Sequence, residues 1–258
     1  MTGVTTDEAD ARLAVEAIKR ADALAVLADG AVTRSELMDA LGVSRTTVHR
    51  LVRDLEASEF VVDDGGTYVL TGLGRTVQQA TATYRETVAA SRHLEPLLTA
   101  LEDCDVDLDV TAFADARVTV PHSRDPYAPV HRFSELLGDT DSLRGFDTTS
   151  IAPTYADALR DQLDDGLSIE LIYEPVVLEL LVDQYADLAA VAFDQESIAV
   201  HVHEAIPFGL ALFDDHVGVG AYDEETGQLL VFVDSDDPDA IAWGETLFEQ
   251  FRDEAIAR

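Results

Sequence analysis

The sequence is poor in cysteine, in lysine and in long apolar runs. The single cysteine, Cys104, excludes an intramolecular disulfide and is typical of a reducing cytoplasm. No run of about 18 apolar residues occurs, so no membrane span is predicted. The N-terminus, MTGVTTDEADAR, is polar and acidic and therefore unlike a secretory signal. We expect a globular protein of the cytoplasm.

Motifs of several enzyme classes are also missing. The sequence has no GxxxxGK followed by Ser or Thr, no GxSxG, no HExxH and no spaced cysteine cluster. Gly209, Gly218 and Gly220 lie in predicted strands that no helix follows, so they form no dinucleotide fingerprint. Paired carboxylates are uninformative in a chain with 51 Asp and Glu. The sequence therefore predicts no enzyme, no cofactor and no metal site.

Carboxylates dominate the charge. Lys19 is the only lysine among 17 Lys and Arg, and the formal net charge is −34. This composition is typical of cytoplasmic proteins of salt-accumulating organisms, where the charge serves hydration and solubility. It therefore describes the solvent rather than a partner. A wholly disordered acidic chain is excluded, because 47% of the residues are hydrophobic and they recur periodically.

The carboxylates are unevenly distributed along the chain. Residues 1–92 hold 10 Lys and Arg and 14 Asp and Glu, a net charge of −4. Residues 93–258 hold 7 and 37, a net charge of −30. A surface that must approach phosphates would be spared acidity in this way, so the first third is the place to expect nucleic-acid contact.

The stretch Thr33–Thr71 has the pattern of a winged helix-turn-helix. A helical pattern over residues 8–28 precedes it and ends at Asp29-Gly30. Thr33, with Glu36 three residues later, forms a capping box for a helix over residues 34–40. Gly42 supplies a tight turn, and Ser44 caps a second helix that reaches about Ala57. Two strands, residues 60–62 and 67–70, flank Asp63-Asp64-Gly65-Gly66, which is a hairpin signal.

The second helix carries a basic polar face. Arg45 and Arg50 can bond guanine or clamp phosphates, and Ser44 and Thr46 lie at the positive end of the helix dipole. The alternative is a helical hairpin that only packs, with its arginines in solvent. The residues predicted to contact DNA are Thr33, Ser44, Arg45, Thr46, Thr47, His49, Arg50, Arg53 and Thr67.

The hairpin tip leaves two alternatives open. Asp63 and Asp64 would point carboxylates at the DNA backbone, which is unfavourable. Thr67 or the amides of Gly65-Gly66 would then make the contact, or the hairpin packs on its own domain and touches no DNA.

A long helix is predicted from Arg75 to about Leu101, with Pro96 kinking or splitting it. Its weak apolar stripe can pair with its twin in a dimer or pack on its own chain. After Leu101, strand and helix patterns alternate, which predicts an α/β domain with a mixed sheet. The expected domains are residues 1–74, a linker or dimerisation helix over residues 75–101, and residues 102–258, which would sense an effector.

One loop of the second domain is a candidate ligand site. His122, Ser123 and Arg124 follow a predicted strand, and ligands favour the carboxyl ends of strands in open α/β sheets. These residues could hold an anionic small molecule, together with Tyr173 at the end of the strand predicted over residues 169–173. An ordinary loop is the alternative. His201 and His203 share a strand face, which permits metal binding, but a solvated strand face is the expectation.

The arrangement resembles haloarchaeal helix-turn-helix transcriptional regulators with a methanogenesis-regulator-type middle domain. The residues that carry the resemblance are ELMDALGVSRTTVHRLVRDLEASEFV, GGTYVLTGLGR, VPHSRDPYAPVHRFSELLGDTDSLRGF, IPFGLALFDDHVGVGAYD and AWGETLFEQFRDEA. The helix-turn-helix part is shared with MarR-, IclR- and TrmB-like regulators, whereas the IPFGLALFDDHVGVGAYD run is more specific. The resemblance implies a dimeric DNA-binding transcription factor and brings no catalytic residues.

These observations predict a two-domain regulator that binds double-stranded DNA as a homodimer. Its second domain would sense a small molecule or mediate assembly. Two other classes are kept as alternatives. One is a protein–protein adaptor that uses a winged helix without DNA readout. The other is an enzyme in residues 115–258, which would need titratable groups that converge in one pocket.

Overall fold

The computed structural model describes residues 6–104, 106–148, 162–163, 166–184, 197–223 and 226–257. The chain divides into two compact units, residues 1–88 and residues 89–258. In the described residues, no helix is long and apolar enough to cross a membrane.

The first unit is a helical region with a small antiparallel sheet. Its elements are α1 (Thr6–Lys19), α2 (Ala21–Ala28), β1 (Val32–Thr33), α3 (Arg34–Leu41), α4 (Arg45–Ala57), β2 (Val61–Asp64), β3 (Thr67–Leu70) and α5 (Gly72–His93), whose last turn belongs to the second unit. The strand order is β1-β3-β2. Val32 lies opposite Tyr68, and Val61 lies opposite Leu70.

One buried cluster holds the first unit together. Leu24, Leu37 and Val48 are fully buried where α2, α3 and α4 meet. Tyr68 and Leu70 of β3 cover the same cluster from the sheet side. The three-to-four-residue spacing of the apolar positions on each helix therefore turns one stripe of each inward.

The structure corrects two expectations here. The single helix expected over residues 8–28 is broken at Arg20. The break lets α2 bury Leu24 and Leu27, while the Arg20 guanidinium reaches Asp54 of α4 at 2.9 Å. Strand β1 was not expected, because two residues show no period and their pairing with β3 is a tertiary contact.

The second unit is built on an eight-stranded mixed sheet. Its helices are α6 (Glu95–Ala100), α7 (Ala128–Gly138), α8 (Pro175–Gln184) and α9 (Pro238–Glu254). Its strands are β4 (Arg117–Thr119), β5 (Ser142–Asp147), β6 (Ser168–Tyr173), β7 (Ile198–Val202), β8 (Gly209–Leu212), β9 (Val217–Tyr222), β10 (Leu229–Ser235) and β11 (Ile256–Ala257). The strand order is β11-β7-β6-β5-β8-β9-β10-β4. Strands β5, β6 and β7 are parallel, and the other pairs are antiparallel.

Alternating side chains of the sheet feed two separate cores. In β8, Leu210 and Leu212 face the core formed with α6 and α9, and Ala211 faces the core formed with α7. In β10, Val231 and Val233 face the first core and Phe232 faces the second. This period of two is expected for strands covered on both faces.

The boundaries of two helices differ from expectation. The long helix expected to Leu101 is split at Leu94, with Pro96 in the first turn of α6, as the proline predicts. The last helix, expected to reach about Ile256, ends at Glu254. Residues 256–257 instead pair with β7, with Ile256 opposite Val202. Backbone hydrogen bonding to β7 therefore determines the conformation of these two residues, although the sequence pattern is helical.

Three further expectations extend beyond the described residues. The helix expected over residues 154–163 lies outside them except for residues 162–163. The extended segment expected over residues 143–151 is described as β5 to Asp147. The helix expected over residues 176–188 is described to Gln184.

Candidate nucleic-acid interface

Helix α4 is positioned by a tight turn and a serine cap. Gly42 adopts φ +63°, the left-handed conformation that glycine enters without a steric penalty, and its N–H donates to the Met38 carbonyl. Two residues later, the Ser44 hydroxyl accepts from the Thr47 N–H at 3.3 Å and lies 3.0 Å from the Thr47 hydroxyl. The Ser44 and Thr47 hydroxyls therefore hold the start of α4.

One side of α4 is a basic face, formed by Arg45, Thr46, His49, Arg50 and Arg53. All five side chains are exposed, whereas Val48, Val52 and Leu55 on the opposite side are buried. Residues three and four apart share a helix face, so these five form one continuous surface. All are among the residues that the sequence predicted to contact DNA.

Two of the three arginines of the basic face have no counter-charge among the residues that the structure describes. Among the described residues, Arg45 and Arg50 make no hydrogen bond or ion pair, and Arg53 lies 3.8 Å from Asp54. The Asp54 carboxylate is instead held by Arg20 at 2.9 Å. Arg20 thus neutralises the acid that borders the basic face, which the sequence did not reveal because the two residues are 34 positions apart.

Thr33 lies at the start of α3, where both of its polar groups are engaged. Its hydroxyl donates to Glu36 at 2.7 Å, its N–H donates to the same carboxylate at 2.7 Å, and its hydroxyl accepts from the Glu36 N–H at 3.3 Å. These hydrogen bonds lower the pKa of Glu36 below its ordinary value. The predicted capping box is present, and Thr33 has a structural role whatever else it contacts.

At the tip of the β2–β3 hairpin, the first of the two carboxylates forms a hydrogen bond within the turn. The Asp63 carboxylate accepts from the Gly66 N–H at 2.8 Å, and Gly65 and Gly66 have φ of +64° and +99°. The Thr67 hydroxyl donates to the Asp64 carbonyl at 2.8 Å. Asp64 is exposed, so the tip presents one free carboxylate rather than the two that the sequence suggested.

Arg34 is a residue of this region that the sequence did not single out. It donates to the Tyr68 hydroxyl, and its guanidinium lies 5.8 Å from the centre of the Tyr68 ring. Its Nε is buried without a hydrogen-bond partner in the described part of the chain. Arg34 therefore connects the start of α3 to β3. The one sequence feature that could have indicated this contact is the position of the arginine next to the helix cap.

The four residues predicted to hold a small molecule do not form one site. His122, Ser123 and Arg124 are exposed in a turn closed by backbone hydrogen bonds of 3.0 and 3.1 Å between His122 and Asp125. The turn follows β4, whereas Tyr173 ends β6, and β5, β8, β9 and β10 lie between these strands. The sequence could not reveal this separation, because sheet order is set by contacts between distant residues.

Tyr173 is enclosed rather than presented to solvent. It is 5% exposed, and burial raises the pKa of its hydroxyl well above the ordinary value, with Asp147 adding to the effect. Asp147 ends β5 and accepts from the Tyr222 hydroxyl at 2.8 Å. Tyr173 thus lies buried at the end of β6, opposite the half-buried Asp147 of β5.

The histidine pair of β7 is not the solvated face that was expected. The His201 ring lies 3.0 Å from the Glu170 carboxylate of β6, and its side chain is 17% exposed. His203 lies with its ring centre 5.0 Å from that of Phe251 and accepts an N–H from Ala205 at 3.2 Å. Glu170 and Phe251 are distant from these histidines in the sequence, so the strand pattern could not indicate these contacts.

The second unit also contains an acidic cleft, which we define as the cavity of about 760 Å³ lined by α9 and residues 106–112. Its polar lining includes the carboxylates of Asp107, Asp109, Asp237 and Asp239. Trp243 lies in its wall, where the indole N–H donates to the Asp107 carbonyl at 2.9 Å. Hydrogen bonds from Thr111 lower the pKa of Asp109, so that side chain is a carboxylate at neutral pH.

Comparison with solved structures gives several distant likenesses. TrmBL2, an archaeal chromatin protein described with a novel mode of DNA binding, is 16% identical with a TM-score of 0.45, over 93% of this chain and 94% of that one. NucT from Helicobacter pylori is 11% identical with a TM-score of 0.44, over 55% and 98%. Nuc from Salmonella typhimurium, a phospholipase D family member, is 16% identical with a TM-score of 0.42, over 55% and 98%. Likenesses at this level carry no conclusion on function.

Family models give the decisive comparison, since no curated protein matches the chain. The HVO_A0261 N-terminal domain matches residues 8–93. The middle domain of the methanogenesis regulatory protein FilR1 matches residues 126–254, which is half of the chain. The resemblance seen in the sequence is thereby confirmed, and the chain belongs to the family of regulators that carry the FilR1 middle domain.

Proposed function

We propose that this member of a regulator family is a sequence-specific DNA-binding transcription factor that acts as a homodimer and not as an enzyme. Residues 6–70 would form a winged helix-turn-helix, in which α4 enters the DNA major groove and the β2–β3 hairpin is the wing. The membership in a regulator family and the order of α3, α4 and the hairpin support this assignment.

The observation that carries the proposal is the basic face of α4. Arg45 and Arg50 are exposed and have no carboxylate partner among the described residues, which is unexpected in a chain of net charge −34. A surface selected only for hydration would carry acids there. An arginine can donate two hydrogen bonds to guanine O6 and N7, or bind a phosphate, and both uses require that it is not already paired.

The geometry of α4 suits the groove. Its 13 residues span about 20 Å, and a groove about 12 Å wide admits one helix. The cap leaves Arg45 and Thr46 on the first turn, where recognition helices contact base edges and phosphates. In a dimer, two such helices would lie about 34 Å apart on a palindromic site.

The wing has a narrower role in this proposal. Because the Asp63 carboxylate is bound to the Gly66 N–H and the Thr67 hydroxyl donates to the Asp64 carbonyl, the group left to face a phosphate is the Gly65 N–H. The exposed Asp64 carboxylate opposes a close approach. We therefore assign the main readout to α4 and at most one backbone contact to the wing.

The second unit would supply regulation. The acidic cleft falls within the range of about 300–1,000 Å³ that small-molecule sites occupy. Its four carboxylates favour a cationic or neutral effector over the anion suggested for the loop at His122. An effector would act by shifting the population of DNA-competent arrangements.

Fluorescence anisotropy with a labelled fragment of the protein's own promoter region tests the function. Arg45→Ala and Arg50→Ala should each weaken binding about 5- to 150-fold, the equivalent of 1–3 kcal/mol for a base-reading arginine. Arg117→Ala removes the same charge from an exposed position in the second unit and should change affinity less than about twofold.

Two results would contradict the proposal. If both α4 variants bind as the wild type does, α4 is not the reading helix. If the wild type binds no DNA from any promoter recovered by genome-wide chromatin binding, the adaptor is the better assignment. An adaptor would instead lose a protein partner when Arg45 and Arg50 are changed.

A further inference from the structure

The first unit has an apolar groove whose base belongs to its core and whose walls are exposed. We define the α1–α5 groove as the cavity of about 340 Å³ between these helices, lined by Leu13 and Ile18 of α1, Leu73, Val77 and Tyr84 of α5, and Phe60 at its base. Among the described residues, Asp10 is the one charged residue that lines it. It lies wholly within residues 1–88.

The walls of the groove are unusually exposed for apolar side chains. Ile18 is 46% exposed, Leu73 47% and Tyr84 54%, and Val88 continues the α5 stripe at 40%. From Leu73 to Val88 the stripe is about 22 Å long at 1.5 Å per residue, four turns of helix. Contiguous apolar surface of this kind marks an interaction site, whereas isolated exposed residues do not.

The charges on the two helices point to the occupant. Helix α5 carries three arginines and one glutamate, a net charge of +2, in a chain whose net charge is −34; its Arg85 is paired with Asp22 of the same chain at 2.6 Å. Helix α1 carries four acids and two basic residues, a net charge of −2. Two copies of α5 facing each other would repel. An α1 helix facing the α5 helix of another molecule would be attracted and would bring Leu13 and Ile18 to an apolar stripe.

We propose that the α1–α5 groove binds a second copy of this chain, with α1 of one molecule packed along α5 of the other. A two-fold axis makes this contact twice, because the same surface serves on both partners. The inference deepens the proposed function, since it gives the assumed homodimer a defined interface. It places that interface on α1 and the first four turns of α5, rather than on one long helix over residues 75–101.

This interface would also fix the two reading helices. Helices α1, α4 and α5 belong to one compact unit, so joining two such units by α1 and α5 sets the distance between the two α4 helices. The dimer contact and the spacing of the DNA half-sites then become one geometric property.

Sedimentation velocity on the full chain in molar KCl, without DNA, tests the interface. The wild type should be a dimer in the micromolar range. Ile18→Glu and Tyr84→Glu, one on each helix, should each raise the dimer dissociation constant at least about 30-fold, as expected for a central apolar contact. Leu230→Glu places the same charge at an apolar residue of the second unit that is 38% exposed and should stay dimeric. Tyr84→Phe should also stay dimeric.

A wild type that is monomeric at these concentrations overturns the inference, and so does a dimer that both glutamate variants leave intact. Circular dichroism checks that the variants fold. If they do not, hydrogen exchange of the wild type decides: peptides over residues 10–18 and 73–88 must exchange more slowly at high protein concentration, and equal rates overturn the inference. Loss of DNA binding by an intact wild-type dimer would refute the proposed function but leave this interface standing.

Discussion

Helix α4 leaves its arginines exposed, whereas several arginines elsewhere in both units pair with carboxylates. In the second unit, Arg132, Arg144 and Arg252 are each paired with a carboxylate, at Asp234, Glu245 and Glu249. On α4 of the first unit, Arg45 and Arg50 have no partner among the described residues. The first unit also pairs arginines, Arg20 with Asp54 and Arg85 with Asp22, so the contrast lies between α4 and the paired arginines of both units.

Paired arginines also differ between the units in burial. Asp234 is 3% exposed and receives two hydrogen bonds from Arg132, at 2.7 and 3.0 Å. Arg20 and Asp54 of the first unit are 27% and 31% exposed. A buried carboxylate that loses its partner cannot recover hydration, whereas a partly exposed one can.

The largest difference between the units is expected in the free energy of unfolding that each loses when the arginine of its pair is removed. Arg132→Ala should lower the free energy of unfolding of the second unit by about 3–5 kcal/mol, because Asp234 is left buried and unpaired. Arg20→Ala should cost the first unit about 1 kcal/mol or less. Trp243, the only tryptophan, reports urea unfolding of the second unit, and circular dichroism reports the helices of the first. Equal losses would contradict the contrast in burial.

Two glycines test whether the units are packed with equal tightness. A Cβ at Gly74 would lie 1.9 Å from the Phe60 carbonyl oxygen, and a Cβ at Gly145 would lie 2.0 Å from that of Leu210. Because each neighbour is backbone, Gly74→Ala and Gly145→Ala should each cost about 3 kcal/mol, seen in thermal and urea unfolding. Gly138→Ala is the control, since nothing lies within 4 Å of its Cβ position. A mild effect at one site alone would show that its unit can relax.

Salt dependence tests how the two charge distributions act together. Counterion release weakens DNA binding as salt rises, and an ordinary binder with many phosphate contacts loses about a thousandfold or more. Here the net charge of −30 on residues 93–258 repels DNA until salt screens it. The Debye length falls from about 10 Å at 0.1 M to about 3 Å at 1 M. We expect the dissociation constant for DNA to change less than about tenfold over that range.

Anisotropy titrations in KCl measure this balance. A steep loss of affinity toward molar KCl would show that the acidic unit does not affect the approach to DNA. An affinity that rises with salt would show that repulsion by the acidic unit exceeds counterion release at α4.

The smallest expected effect concerns pH. The Asp214 carboxylate accepts from the Asp141 N–H and the Ser142 hydroxyl, both at 2.7 Å, and these bonds hold its pKa below the ordinary 3.8. The folded state therefore binds this proton at lower pH than the unfolded state. Its contribution to stability is present above the unfolded pKa and disappears as pH falls through the folded pKa.

Asp214→Asn should therefore lower the free energy of unfolding at neutral pH and make it fall less steeply below pH 3.8. Urea unfolding at several pH values measures both effects. In the first unit, Glu36→Gln removes another carboxylate whose pKa is lowered and should act in the same direction. If the free energy of unfolding of Asp214→Asn falls with decreasing pH as steeply as that of the wild type, the hydrogen bonds from Asp141 and Ser142 do not cause the acid dependence.

Features that depend on neighbouring residues could be predicted from the sequence. The Thr33–Glu36 capping box, the Ser44 cap and the Gly65-Gly66 turn are local hydrogen-bond patterns, and all three are present. The exposed side of α4 also follows from helical periodicity, because the apolar residues fix which side is buried. This is why the basic face could be predicted to residue level.

Features that depend on distant contacts could not be predicted. Nothing local marks the pairing of Val32 with Tyr68 or the reach of Arg20 to Asp54. The order of eight strands placed Tyr173 and the loop at His122 apart. Sheet order depends on which surfaces can be covered together, and that information is spread over the whole chain.

The two edge strands of the large sheet affect how the protein avoids aggregation at high salt. Strand β11 has two residues and β4 has three, so each of these edge strands offers few backbone groups for another sheet to join. In dilute buffer, a net charge of −34 would keep molecules apart. At molar salt that repulsion extends only about 3 Å. The short edge strands still limit aggregation under those conditions, because their effect does not depend on charge.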